Sequence, residues 1–135
     1  MKYYQLTRVI KENETLSINQ ADSDEVILYD RLGDVEYYGV NSSDYTRFLA
    51  MQNPECNIVE KQFADISDIL QNCPMNRHLN DLISKRIRQQ YTSNDEFKML
   101  NLDKTDPEYI AYNTYRNMCR AEGRVVKIEK GLVLS

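Results

Sequence analysis

Residues 26–40 read VILYDRLGDVEYYGV and decide the fold of the first half of the chain. Two runs rich in β-branched and aromatic residues, 26–31 and 35–40, flank the tripeptide Leu32-Gly33-Asp34. Gly33 can adopt the positive φ that a short hairpin loop requires, and Asp34 tolerates turn geometry. The pattern therefore predicts a β-hairpin. Because two strands alone are marginal in water, the hairpin needs further strands or a covering helix.

Further short elements are predicted on both sides of this hairpin. Residues 3–10 are rich in β-branched and aromatic side chains, which predicts a strand, and residues 15–18 and 56–59 predict two shorter ones. The run NSSD at 41–44 offers helix N-caps for a helix over 45–52, and a second short helix is predicted over 64–70.

From Asn76 onward the apolar periodicity is helical. One stripe at spacings of three and four consists of Leu79, Leu82, Ile83, Ile87 and Tyr91. Ser93 and Glu96 match a capping box, in which the two side chains satisfy backbone donors reciprocally. They predict the start of a short helix that carries Phe97 and Leu100.

The last long helix has its own start and stop signals. Thr105 is the predicted N-cap, Pro107 lies in the first turn, and Glu108 completes a capping box. Gly123 is predicted to end the helix as its left-handed residue, so that residues 125–128 form a final strand.

These elements predict an α+β fold, with an N-terminal antiparallel β-sheet and a mainly helical C-terminal half packed on it. A chain of 135 residues fits one domain. We expect a single domain over 1–135, made of a β-rich acidic half (1–62), a helical half (63–123), and a short strand and tail (124–135).

The charge is unevenly distributed. Residues 1–60 carry 5 Lys/Arg and 11 Asp/Glu, whereas residues 61–135 carry 12 and 10, within a net charge of −4. An acidic chain of this kind is a poor candidate for binding nucleic acid through its overall charge. No apolar run approaches the roughly 20 residues of a membrane helix, and the amino terminus has no apolar signal-peptide core. We therefore expect a protein that is neither secreted nor in a membrane.

The residues that carry most enzyme chemistry are sparse. His78 is the only histidine, which excludes a catalytic histidine pair or a multi-histidine metal centre. The cysteines Cys56, Cys73 and Cys119 are far apart and odd in number, and the four glycines do not cluster. Acidic residues at 22–25 fit a solvated loop better than a calcium site. We predict no catalytic, metal or cofactor-binding residues, and no enzyme.

Lys85, Arg86 and Arg88 form a candidate basic patch. Helical geometry spreads them around the polar side of their helix, which favours a solvated face. Contact with the phosphates of RNA or DNA, or with an acidic protein, is the alternative use.

The ten tyrosines suggest a protein interface. They cannot all be buried in a small domain without many hydroxyl partners, and tyrosine is favoured at interfaces because it joins a large contact area to a polar tip. The candidate interface residues are Tyr37, Tyr38, Tyr109, Tyr112 and Tyr115. The alternative is that strands and amphipathic helices place tyrosine at the edges of the core.

Two stretches of the helical half carry a more particular pattern. Residues 83–100 read ISKRIRQQYTSNDEFKML, and residues 106–120 read DPEYIAYNTYRNMCR. Over 83–120 the chain resembles small proteins encoded among the tail, baseplate and tail-fibre genes of tailed bacteriophages and prophages. In them a helix ending in YS-x-x-[DE]E precedes a D-x-x-E[YF]-x-x-Y helix ending in Cys-Arg. The resemblance implies a phage protein and supplies no active residue.

The leading hypothesis is a small non-enzymatic phage protein that acts by protein–protein contact, as a virion component of the neck, tail or baseplate or as an assembly factor. Its partners would be other virion proteins or copies of itself, in the virion or the host cytoplasm. Nucleic acid and membranes are not expected partners. The alternative is a phage-encoded inhibitor whose acidic N-terminal half imitates nucleic-acid charge and binds a host enzyme or a defence nuclease.

Overall fold

The computed structural model describes residues 1–11, 14–16, 26–41 and 45–135. Contacts divide the chain into two compact units, residues 1–75 (the β-rich unit) and residues 76–135 (the helical unit). The division lies after residue 75, rather than after the predicted boundary at residue 62. The predicted acidic loop at 22–25 lies outside the described residues, as do the cap residues 42–44 and the end of the strand predicted over 15–18.

A four-stranded antiparallel sheet organises the β-rich unit, with strand order β4-β5-β1-β6. β1 is central: Tyr4 pairs with Tyr38 of β5 on one side and with Glu60 of β6 on the other. A separate two-stranded ladder joins β2 to β3. The strands are β1 (Lys2–Thr7), β2 (Val9–Lys11), β3 (Glu14–Leu16), β4 (Val26–Leu32), β5 (Val35–Val40) and β6 (Asn57–Lys61).

The predicted hairpin is confirmed. β4 and β5 flank a turn in which Gly33 has a φ of 64°, the left-handed conformation for which glycine was expected. The register between these strands shifts between Leu28 and Asp30, so Tyr29 occupies a bulge. The strand predicted over 3–10 is divided at Arg8, whose backbone N–H donates to the Asp34 carbonyl at 2.7 Å.

Helices cover both faces of this sheet. On one face, α1 (Tyr45–Ala50) packs Phe48 against Tyr4 and Val40, with ring centroids of Tyr4 and Phe48 5.5 Å apart. On the other face, α2 (Phe63–Asn72) brings Phe63 to 5.9 Å from the ring of Tyr3. The four-stranded sheet and the helices that follow it confirm the α+β class.

The helical unit contains α3 (Pro74–Gln90) from Asn76 onward, α4 (Ser93–Leu100) and α5 (Pro107–Glu129). Both capping predictions were one residue out of register. Thr92, rather than Ser93, caps α4 in a reciprocal box with Asp95. Asp106, rather than Thr105, caps α5 by accepting the Glu108 backbone N–H at 2.9 Å. The competing oxygens adjoin one another, so sequence alone does not choose between them.

The predicted end of α5 and the final strand at 125–128 were wrong. The helix passes through Gly123 and ends at Glu129. Gly123 serves a different purpose, because a Cβ at this position would overlap the side chain of Ile83 on α3. The left-handed residue is Gly131, with a φ of 71°. Leu132, next in the chain, donates its N–H to the Lys127 carbonyl at 2.8 Å, which completes a Schellman motif.

Candidate functional site

Tyr38 was predicted at an interface and is instead part of the core. Its side chain is 2% exposed and packs beside Leu6 and Cys56. Its hydroxyl donates to the Glu36 carboxylate at 3.1 Å. Strand alternation explains the error: Tyr38 lies on the face of the sheet that α1 covers, whereas the half-buried Tyr37 points to the opposite face. Tyr38 therefore offers no area to a partner.

Tyr112 was also predicted at an interface and is likewise a core residue, 2% exposed. Its hydroxyl donates to the Glu96 carboxylate of α4 at 3.1 Å, and its ring meets that of Tyr91 edge-on at 5.0 Å. Burial raises the pKa of the Tyr112 hydroxyl, and the Glu96 carboxylate raises it further. This side chain fixes α4 and the end of α3 onto α5.

Tyr109 and Tyr115 are half-buried members of the same aromatic cluster. Tyr109 lies 6.4 Å from the Tyr112 ring, and Tyr115 lies 5.8 Å from the Tyr91 ring. The Tyr115 hydroxyl donates to the backbone carbonyl of Arg86 at 3.1 Å. The series on α5 thus acts mainly within the helical unit, as the alternative interpretation of the tyrosines anticipated.

The structure separates the members of the candidate basic patch. Arg86 forms an ion pair with Glu122 of α5, so its charge is compensated inside the unit. Lys85 and Arg88 are exposed on α3 and border a shallow depression together with His78 and Asp81. The three cations therefore do not present one continuous surface, which agrees with the spread that helical geometry predicts.

An exposed apolar surface on α5 was not among the predicted sites. Met118 and Val125 are 43% and 55% exposed, and Ile110 beside them is 51% exposed. They lie on or beside a stripe in which residues alternate by three and four, opposite the buried side of the helix. We call this set the outer stripe: Ala111, Thr114, Met118, Ala121, Val125 and Ile128. It contains no charged residue. The spacing of three and four is present in the sequence. However, the helix was predicted to end at Gly123, which left Val125 and Ile128 outside it.

The described carboxylates of residues 1–60 give little support to a free acidic face. Glu36 is fully buried, and its carboxylate accepts hydrogen bonds from Nε and Nη2 of Arg31, at 3.0 and 2.6 Å. Asp34 lies 3.8 Å from Arg8, and Glu60 lies 3.7 Å from Lys2. Burial raises the pKa of the Cys56 thiol, with Glu55 and Glu36 adding to the effect.

Among the residues that the structure describes, no group of three or more His, Cys, Asp or Glu side chains could hold a metal ion. Cys56, Cys73 and Cys119 are all buried. No helix in the described ranges combines the length and the apolar content needed to cross a membrane.

No protein-family model, no curated protein and no solved structure matches this chain.

Proposed function

We propose that this chain is a small non-enzymatic protein of a tailed bacteriophage that works by protein–protein contact. It would serve as a component of the neck, tail or baseplate, or as an assembly factor, in the virion or the host cytoplasm. The resemblance over residues 83–120 supports the phage assignment. The exposed apolar outer stripe of α5 is the observation that carries the mode of action.

The outer stripe has the pattern of a helix-pairing surface. Its alternation by three and four is that of the apolar seam of a coiled coil. Met118 and Val125 supply exposed apolar area, and the small side chains Ala111 and Ala121 allow another helix to approach closely. Burial of such a stripe against a partner stabilises the contact by about 25 cal/mol per Å² of apolar surface removed from water.

The partner that we assign to the outer stripe is a second copy of the chain. A two-fold arrangement places identical surfaces against each other, and a stripe without charged residues meets its own copy without like-charge repulsion. The outer stripe runs from residue 111 to residue 128, which is 17 residue steps, or roughly 25 Å of helix. Repeated copies are also the building principle of a virion component.

Size-exclusion chromatography with light scattering tests this contact, because it measures the mass of the full chain in solution. We expect a dimer or higher oligomer at about 100 μM, a concentration at which self-association with a Kd of about 1 μM, or −8.2 kcal/mol, is nearly complete. The double substitution Met118→Glu and Val125→Glu should give the monomer mass. Leu32→Glu, at a similarly exposed residue of the β4–β5 hairpin, is the matched control and should leave the oligomer intact.

A monomer at that concentration would contradict self-association. If a different virion protein bound the wild-type chain but not the outer-stripe variant, that protein would be the partner. Mass spectrometry of purified virions and of assembly intermediates tests the phage role. Peptides of this chain in virions identify a component, peptides in intermediates alone identify a factor, and absence from both contradicts the role.

A further inference from the structure

A groove between α3 and α5, within the helical unit, collects positive charge. Its wider section is a cavity of about 510 Å³. Arg120, Arg124 and Lys127 line it from α5, and Asn80 and Ser84 line it from α3. No carboxylate is among the described residues that line this section.

The groove continues beyond Ser84 and Arg120 into a second section of about 270 Å³. Arg88 of α3 and Arg116 of α5 line this section together with those two residues. Its one carboxylate among the described lining residues is Glu96, which accepts the Tyr112 hydroxyl. The two sections together hold five cationic side chains and one acidic one.

Four of these cations form a row along one side of α5. Arg116, Arg120 and Arg124 are four residues apart, so successive side chains rise by about 6 Å along the axis. Lys127 extends the row to roughly 16 Å. Side chains at this spacing share a helix face, and an evenly spaced row of cations suits a ligand whose negative charges also repeat evenly.

The cations of the row are held in place without being neutralised. Lys127 donates to the Asn80 side-chain oxygen at 2.6 Å, and Arg124 donates to the Leu134 carbonyl at 3.1 Å. The Arg116 guanidinium stands over the Tyr112 ring, 5.2 Å from its centroid. Neutral partners orient a side chain but leave its charge uncompensated.

Two of the arginines that line the groove are open to solvent. Arg88 and Arg120 are exposed, and neither forms an ion pair within the described part of the chain. Guanidinium groups of this kind bind phosphate through two parallel N–H donors.

We propose that this groove binds the phosphodiester backbone of a nucleic acid. A phosphate backbone carries one charge per nucleotide at a fixed repeat, which matches the row on α5 better than the irregular carboxylates of an acidic peptide. The Ser84 hydroxyl and the Asn80 amide add the neutral donors typical of phosphate contacts. This activity is separate from the proposed pairing of chains through the outer stripe.

The net charge of −4 does not oppose this binding at ordinary salt concentration. The Debye length is about 8–10 Å near 0.1–0.15 M salt, so the charges close to the groove dominate. Residues 76–135 carry 11 Lys/Arg against 8 Asp/Glu, although the whole chain is acidic. The expectation from overall charge therefore does not apply locally.

Fluorescence anisotropy of labelled 20-nucleotide single-stranded DNA, and of the matching duplex, tests the proposal with the full chain. With about four phosphate contacts, single-strand affinity should fall roughly 50-fold between 50 and 200 mM salt. The double substitution Arg88→Glu and Arg120→Glu should weaken single-strand binding at least about tenfold and reduce the salt slope by about 1.4. Arg88→Ala with Arg120→Ala should also weaken DNA binding, but by a smaller factor.

The matched control is Lys98→Glu with Lys104→Glu, which changes the charge equally on exposed residues of the same unit that do not line the groove. It should lose clearly less affinity than Arg88→Glu with Arg120→Glu, since neither lysine lines the groove. Circular dichroism melts establish that both double variants fold. The arginine variants should also keep the oligomeric mass of the wild type, which separates this proposal from the outer-stripe contact.

Three results would overturn the proposal. The first is no anisotropy change with either DNA at 50 mM salt. The second is an equal loss of affinity in the lysine control, which would mean that binding depends on bulk charge. The third is competition by a polyglutamate peptide at the same charge concentration as DNA, which would identify an acidic protein as the ligand. Preference for the single strand or for the duplex then identifies the form of nucleic acid that the groove accepts.

Discussion

The Arg31 guanidinium donates two N–H groups to one carboxylate oxygen of Glu36, at 3.0 and 2.6 Å, and that carboxylate is fully buried at the end of β5. The Tyr38 hydroxyl donates to the same oxygen at 3.1 Å. A buried charge is tolerated only when its hydrogen bonds are made, so this cluster should govern the stability of the β-rich unit.

Tyr38→Phe should lower the free energy of unfolding by about 1.5–3 kcal/mol, because it removes one hydrogen bond to a buried charged group. Urea denaturation measures the change. Tyr37→Phe, at the half-buried neighbour on the opposite face of the sheet, is the control and should have a much smaller effect. Equal losses in the two variants would contradict the assigned role of the Tyr38 hydroxyl.

Gly39→Ala should destabilise the sheet by about 1–3 kcal/mol, the usual cost of overpacking. A Cβ at Gly39 would overlap the hydroxyl of Tyr29 and the sulfur of Met1. Because the overlap is specific, Tyr29→Phe in the same chain should recover part of the loss. A double-mutant cycle from thermal or urea unfolding measures this coupling, and strictly additive losses would contradict the contact.

The cap of α4 should weaken in acid. The Thr92 backbone N–H, 2.9 Å from the Asp95 carboxylate, holds the pKa of that carboxyl below its ordinary value. A lowered pKa in the folded state stabilises the protein above the unfolded value of about 3.9, and that contribution disappears as the pH falls through the folded value. Asp95→Asn should therefore reduce the melting temperature at pH 7 but match the wild type near pH 2. A constant difference between pH 2 and pH 7 would contradict this linkage.

Gly131→Ala should destabilise the end of α5 by about 1–2 kcal/mol, because an L-residue resists the left-handed conformation with a φ of 71°. Gly131→Asn should lose less, since asparagine is the next most tolerated residue at this position of a Schellman motif. Hydrogen exchange at the Leu132 amide, which donates to Lys127, reports the loss directly. An equal effect of the two substitutions would mean that φ is not the cause.

The hairpin was predictable because Gly33 and Asp34 specify the turn locally and because the flanking runs share one period. The end of α5 and the partners of the tyrosine hydroxyls depend instead on packing between residues that are distant in the sequence. Glycine is typical of a helix end, but Gly123 lies inside α5, where the absence of a side chain leaves room for Ile83, 40 residues away in the sequence. The sequence also could not show which tyrosine hydroxyls find partners. The partners of Tyr112 and Tyr115, Glu96 and the Arg86 carbonyl, belong to other helices.

The candidate surfaces show the same limit. Arg116, Arg120 and Arg124 have the spacing of a helix face, but the predicted break at Gly123 assigned Arg124 and Lys127 to a strand and tail. Lys85, Arg86 and Arg88 were predicted as a basic patch because they lie close together in the sequence. Helical geometry places adjacent residues on different sides and brings together residues four apart.

The bulge at Tyr29 has a consequence for the behaviour of concentrated protein. β4 and β6 are the outer strands of the described sheet, and an outer strand is a template on which another chain can grow. The register shift between Leu28 and Asp30 interrupts that template on β4, and Glu60 and Lys61 place charges on β6. Both features oppose edge-to-edge stacking, so concentrated preparations should resist conversion into amyloid-like fibrils.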